Sequence, residues 1–194
     1  DAETKLLRSH GVVVSEYFRY SDSLSKMGLL GKIIGGLTTP FNPFEYFRIR
    51  RALRSEKPDI VHVHNFFPLI SPAVFYATSH EKIPVVITLH NFRLACGGGL
   101  PFIEKKTCMK CLDSRSVKPL LQYKCYRGSL LASIPMAVMI SLHRWLGTWQ
   151  NKIDTVITLT QFQSKIMDEI GLVPKAMSRT KPQFMQNPPS VIPI

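Results

Sequence analysis

The chain has 194 residues and a mass of 22.0 kDa, which suffices for one α/β domain with a full core and is short for two. Apolar residues make up 45% and charged residues 20%, which excludes a disordered, collagen-like or coiled-coil chain. The 25 Lys and Arg exceed the 13 Asp and Glu, and the formal charge of +12 favours an anionic partner: nucleic acid, a phosphorylated small molecule or an acidic membrane surface.

The sequence predicts a cytoplasmic chain without a membrane span. Asp1 to Lys5 lack the basic start and apolar stretch of a signal peptide. The longest run without a fixed charge, Gly128 to His143, is shorter than the roughly 20 apolar residues of a spanning helix. With no export signal, we expect the four cysteines to be reduced thiols or metal ligands rather than structural disulfides.

The N-terminal residues predict a helix, a strand and a loop. Residues 1–10 are typical of a helix end that stops at Gly11, and Val12 to Val14 predict a strand. Residues 21–43 are rich in Ser, Gly and Pro around an apolar patch, which indicates a surface loop with a short amphipathic helix.

A second helix is predicted over residues 44–54, ended by Pro58. In this helix we expect Phe44, Phe47 and Leu53 to face a core, and the four arginines to face mostly solvent.

Three short, β-branched runs predict buried parallel strands at 59–64, 84–89 and 154–159. Helical stretches at 71–80 and 162–170 follow the first and third runs. This alternation predicts an α/β fold with a doubly wound parallel sheet and helices on both faces.

Both strong strands end in a His-Asn pair. His64-Asn65 and His90-Asn91 therefore belong to the carboxyl edge of the sheet, where ligands bind in open α/β folds, and Thr160 follows the third strand at the same edge. A single such histidine is most often a hydrogen-bonded strand end, but two parallel pairs favour a ligand site. We expect His62 to face the opposite side of the sheet and to be structural.

All four cysteines lie in a long excursion from the sheet, residues 91–127. Cys108 and Cys111 form a C-x-x-C pair, with Cys96 and Cys125 on either side, a spacing that permits a Cys₄ zinc site. We expect zinc to order a segment that lacks its own core. Free cysteines, a redox pair and disulfides are the alternatives.

A Met- and Leu-rich helical stretch runs from Arg127 to Trp149, with basic residues at both ends and two Trp near one end. This pattern suits a membrane headgroup interface, and an ordinary core helix explains it equally well. Residues 28–37 are a second candidate for shallow membrane contact.

Several motifs together resemble the N-terminal domain of bacterial glycosyltransferases of family four. They are Pro58-Asp59-Ile60-Val61-His62-Val63-His64-Asn65, Phe67-Pro68-Leu69-Ile70-Ser71-Pro72, Thr88-Leu89-His90-Asn91-Phe92-Arg93-Leu94-Ala95-Cys96, Cys108-x-x-Cys111-Leu112, Cys125-Tyr126-Arg127-Gly128-Ser129, His143-Arg144-x-Leu146-Gly147-Thr148-Trp149 and Leu159-Thr160-x-Phe162.

The resemblance implies a Rossmann-like domain of a GT-B fold and a retaining transferase that uses a nucleotide-sugar donor. The acceptor would be a polysaccharide or lipid-linked intermediate at the inner face of the cytoplasmic membrane. His90 matches the family residue beside the transferred sugar and is the predicted catalytic residue. The predicted acceptor-binding residues are His64, Asn65, Asn91, Arg93 and Thr160.

The resemblance also implies parts that these residues do not contain. Residues 1–173 correspond to an acceptor domain without the family's first strand, residues 174–194 to a linker or truncated domain edge, and no residues correspond to the C-terminal donor domain. We therefore expect the chain alone to be inactive. The rival interpretations are a non-catalytic remnant or interaction domain and a basic, zinc-bearing nucleic-acid module, the latter disfavoured because the positive charge is dispersed.

Overall fold

The computed structural model describes residues 2–19 and 28–181. The first part of the predicted loop at 21–43, up to residue 27, and the chain after Lys181 lie outside these residues, so the nature of the tail stays a prediction.

A four-stranded parallel sheet forms the centre of the fold. Its strands are β1 (Val61–His64), β2 (Val85–Leu89), β5 (Thr155–Thr158) and β6 (Ser178–Thr180), in that spatial order, and a separate antiparallel pair comprises β3 (Phe102–Ile103) and β4 (Lys106–Thr107). The three predicted strands and the α/β fold class are confirmed. β6 was not predicted, because Ser178–Thr180 is too short and polar to show a strand pattern.

Helices connect and cover the strands. They are α1 (Ala2–Ser9), α2 (Gly28–Thr38), α3 (Pro43–Glu56), α4 (Ala73–Glu81), α5 (Lys110–Asp113), α6 (Lys118–Gln122), α7 (Leu130–Trp145), α8 (Thr148–Asn151) and α9 (Gln161–Glu169), with a 3₁₀ turn at Lys175–Met177. Within the described residues, no helix has the length and apolar character that a bilayer crossing requires.

The core forms where β2 and β5 meet the helices. Ile87 and Val156 are buried neighbours in the sheet, and the rings of Phe75 and Trp149 pack edge to face at 5.9 Å. Trp149 is fully buried, so the core interpretation holds for it, whereas Trp145 is 81% exposed.

Two predictions for the N-terminal half are wrong. Val12 to Val14 form no strand, and Val13 is 94% exposed, because no neighbouring strand pairs with them in the described chain. Phe44 and Phe47 are also exposed: α3 instead buries the row at four-residue spacing formed by Glu45, Ile49 and Leu53.

The excursion from 91 to 127 has its own buried apolar residues, contrary to expectation. Leu94, Leu112 and Leu120 are each at most 2% exposed and belong to the main hydrophobic cluster. Apolar burial therefore contributes to the order of this segment.

Candidate functional site

The two predicted histidines meet at the carboxyl edge of the sheet. β1 ends at His64, and His90 directly follows β2; the parallel register pairs His64 with Thr88. Nδ1 of His64 lies 2.9 Å from Nε2 of His90, so one ring donates a hydrogen bond to the other. The sequence thus predicted a juxtaposition that the structure contains.

His62 lies on the same face of the sheet as His64, and the prediction that it faces the other side is wrong. Side chains two residues apart in a strand share a face. The two rings are 4.2 Å apart, and Nε2 of His62 lies 2.8 Å from the hydroxyl of Thr88.

Glu3 of α1 extends this histidine cluster. Its Oε2 lies 3.6 Å from Nε2 of His64, and its Oε1 accepts a hydrogen bond of 2.8 Å from the ammonium of Lys181. Sequence reasoning missed both residues, because they are 178 positions apart and neither lies in a motif.

The environment favours neutral imidazoles beside an ionised carboxylate. Burial lowers the pKa of His62 and of His64, and this effect outweighs the opposing charge of Glu3. Burial alone would raise the pKa of Glu3, but the hydrogen bond and charge of Lys181 lower it.

This arrangement determines which nitrogen of His90 is available to a ligand. A carboxylate beside Nε2 of His64 favours the proton on that nitrogen, so we assign Nδ1 of His64 as the acceptor of a hydrogen bond from Nε2–H of His90. Nδ1 of His90 then carries a lone pair. It can accept a hydrogen bond from a hydroxyl group.

A cavity of about 150 Å³ opens beside this pair. It is lined by Asn65, Phe66, Phe67, Ile87, Thr88, Leu89, His90, Asn91, Arg93 and Leu94. Three predicted acceptor-binding residues, Asn65, Asn91 and Arg93, thus share one cavity with His90, whereas His64 contacts it through His90.

Asn91 and Thr160 also have structural roles. The side-chain oxygen of Asn91 accepts a hydrogen bond of 3.0 Å from the backbone N–H of Arg93. Thr160 is the N-cap of α9, and its hydroxyl accepts from the backbone N–H of Gln163 at 3.1 Å. Thr160 does not line the cavity, and acceptor binding by it stays a prediction.

The four cysteines are free thiols. Burial, and secondarily the charge of Cys96, raises the pKa of Cys111 to about 11 and also raises the pKa of Cys125, so these thiols are protonated at neutral pH. Cys108 is close enough to interact electrostatically with the other three.

The donor set suits zinc, but the geometry is not that of a closed site. Within the described residues, the one group of three or more His, Cys, Asp or Glu with ligand atoms within 4.8 Å of one another is Glu3, His62 and His64. The sulfurs would therefore have to move together to share an ion, and zinc binding stays a prediction.

In a comparison with protein families, residues 30–179 match the model of Glycosyltransferase Family 4. The chain belongs to glycosyltransferase family 4. A comparison with curated proteins and one with solved structures gave no match.

As a member of this family, the domain has a general role in glycosyl transfer and binds sugar-bearing ligands. The matched residues include the His64–His90 pair and the entire cavity lining. Glu3 and Lys181 lie outside the matched range.

Proposed function

We propose that this family 4 domain forms the acceptor side of a retaining glycosyltransferase, which moves a sugar from a nucleotide-sugar to a polysaccharide or lipid-linked acceptor. The observation that carries the proposal is the hydrogen-bonded His64–His90 pair beside a cavity at the carboxyl edge of a parallel sheet. The nucleotide-sugar would be bound mainly by a C-terminal donor domain.

In this proposal, His90 accepts a hydrogen bond from a sugar hydroxyl through Nδ1 and fixes the orientation of the reacting group. His64 holds the ring of His90 through its Nδ1, and Glu3 keeps the proton of His64 on the opposite nitrogen. His64 and Glu3 are therefore positioning residues, and His90 is the catalytic residue.

The test uses a full-length family 4 relative that has the same two His-Asn pairs. His90→Ala should lower turnover by about 10²-fold or more, because it removes the group that orients the reactants. The control is the residue equivalent to His80, which lies on α4 and contacts Tyr46 rather than the cavity. Unchanged turnover in His90→Ala would refute the catalytic role.

We also propose that the domain contacts an anionic membrane surface, as a lipid-linked acceptor would require. The apolar face comprises Ile33 and Leu37 of α2 and Leu130, Leu131, Ile134 and Val138 of α7, all of them exposed. Leu131 is 80% and Leu37 76% exposed, and the two helices meet where Gly36 approaches Pro135. The formal charge of +12 favours anionic lipid.

A further inference from the structure

We propose that the cavity beside His90 binds an oxyanion, a carboxylate or phosphate carried by the acceptor, on the guanidinium of Arg93. This inference deepens the proposed function and rests on it, because it assigns a chemical class to the acceptor that the same cavity takes.

Arg93 is held in place from several sides. Its backbone N–H is bound by the side chain of Asn91, and its guanidinium lies over the rings of Phe67 at 4.7 Å and Tyr126 at 5.9 Å. A Cβ at Gly99 would lie 2.8 Å from Nη2 of Arg93, so the guanidinium packs closely against this glycine. The charge is therefore positioned before any ligand arrives.

The guanidinium has no anionic partner within the described residues. Nε of Arg93 is buried and makes no hydrogen bond, and no ion pair links Arg93 to a carboxylate of the described chain. By contrast, Arg50 and Arg19 contact Glu81 and Glu45 at 2.6 and 2.9 Å. A partly buried charge without a counter-charge is costly, and an anion in the cavity would offset that cost.

The cavity lining favours an anion over a neutral or cationic group. It includes no Asp or Glu, and the amides of Asn65 and Asn91 supply hydrogen-bond donors beside the guanidinium. Arginine presents several N–H groups in a planar fork that matches the oxygens of a carboxylate or phosphate. Because the aromatic rings of Phe67 and Tyr126 pack against the face of the guanidinium, its N–H groups at the edge are the part that can bind an anion.

The two sources of such an anion are a sugar acid and a phosphorylated acceptor. The test therefore titrates the full chain with sodium glucuronate, with inorganic phosphate and with the neutral sugar methyl glucoside at constant ionic strength, and follows backbone amide resonances of residues 90–94. Binding of glucuronate alone indicates a sugar acid, and binding of phosphate alone indicates a phosphorylated acceptor. If neither anion binds more tightly than methyl glucoside, the proposal is wrong.

The decisive variant is Arg93→Met, which keeps an apolar stem against the two rings and removes the charge. Its matched control is Arg127→Met, because Arg127 is exposed and lies over the same Tyr126 ring at 5.5 Å without lining the cavity. We expect Arg93→Met to weaken anion binding at least about tenfold and Arg127→Met to leave it within about twofold. Equal loss in both variants would show a diffuse charge effect and overturn the proposal.

A second variant keeps the test decisive if Arg93→Met fails to fold. Arg93→Lys keeps the charge and loses the planar fork, so its anion affinity should fall severalfold. Unchanged affinity would overturn the assignment of the guanidinium.

These measurements separate the inference from the proposed function, because they involve no sugar transfer. Anion binding that depends on Arg93, together with unchanged turnover in His90→Ala, would refute the catalytic role alone. Loss of turnover in His90→Ala without anion binding would refute the inference alone.

Discussion

At the residue scale, the histidine cluster makes the stability of the fold depend on pH. The pKa of His62 and that of His64 are lowered in the folded chain, chiefly by burial. Below the ordinary histidine pKa, the unfolded chain therefore binds more protons than the folded chain. Stability is present above that value and declines as the pH falls through it.

We accordingly predict that the melting temperature falls as the pH is lowered from about 7 to about 5. The double variant His62→Gln, His64→Gln should show a smaller fall over the same range. Thermal unfolding followed by circular dichroism measures both. A melting temperature that rises toward pH 5, or an equal fall in the double variant, would contradict the burial of these rings.

A pair of glycines provides a second test at this scale. Gly99 and Gly128 both have φ in the left-handed region, at 85° and 64°, so alanine is strained at either position. A Cβ at Gly99 meets the guanidinium of Arg93, whereas a Cβ at Gly128 meets nothing within 4 Å.

Gly99→Ala and Gly128→Ala should therefore each lower the free energy of unfolding by about 1–2 kcal/mol. Only Gly99→Ala should also weaken anion binding, because the Arg93 tip has to move. Chemical denaturation and the glucuronate titration provide the two readouts. Intact anion binding in Gly99→Ala would show that this glycine does not position Arg93.

At the element scale, the sequence predicted what depends on local pattern. β-branched runs placed β1, β2 and β5, and the parallel arrangement then brought His64 and His90 to one edge. Partners that are distant in the chain, such as Glu3 and Lys181, have no such pattern and could not be predicted. The prediction that Phe44 and Phe47 of α3 face the core was wrong. Helical spacing alone does not show whether the row with these residues or the row with Ile49 and Leu53 packs on a neighbouring element.

At this scale, His143 of the motif at residues 143–149 has a structural role. His143 is 1% exposed; its two ring nitrogens lie 2.8 Å from the Thr148 hydroxyl and from the Pro40 carbonyl, which joins α7 to the segment before α3. His143 and Thr148 of this motif thus connect α7 to α8 and to the segment before α3.

A substitution in the excursion from 91 to 127 tests whether apolar packing stabilises this segment. Leu120→Ala should cost about 2–5 kcal/mol, because Leu120 is 1% exposed and belongs to the main core. Leu131→Ala is the control: Leu131 lies on α7 but is 80% exposed, so the change in stability should be less than about 0.5 kcal/mol. A similar cost in both variants would contradict the packing account.

Zinc binding has a test of its own. Protein purified without chelator should contain about one zinc per chain, and Cys108→Ser should release it. Elemental analysis of both proteins measures the zinc content per chain. Metal-free protein with four titratable thiols and an ordered excursion would show that the cysteines are packing residues.

At the scale of the whole molecule, the exposed apolar face and the positive charge predict reversible binding to anionic vesicles. Leu131→Glu should reduce co-sedimentation with phosphatidylglycerol vesicles, because it places a negative charge in this face. Phe162→Glu is the control, since Phe162 is also exposed but lies on α9. Equal loss in both variants, or equal binding to neutral vesicles, would contradict a specific membrane surface.

We propose that this family 4 domain binds the acceptor, rather than the nucleotide-sugar donor, at His90. The most direct measurement is a titration of the chain with acidic acceptor oligosaccharides and with nucleotide-sugars, followed through the imidazole resonances of His64 and His90. We expect an acidic oligosaccharide to shift the resonances of both rings and nucleotide-sugars to leave them unchanged. Shifts caused by nucleotide-sugars alone would contradict it.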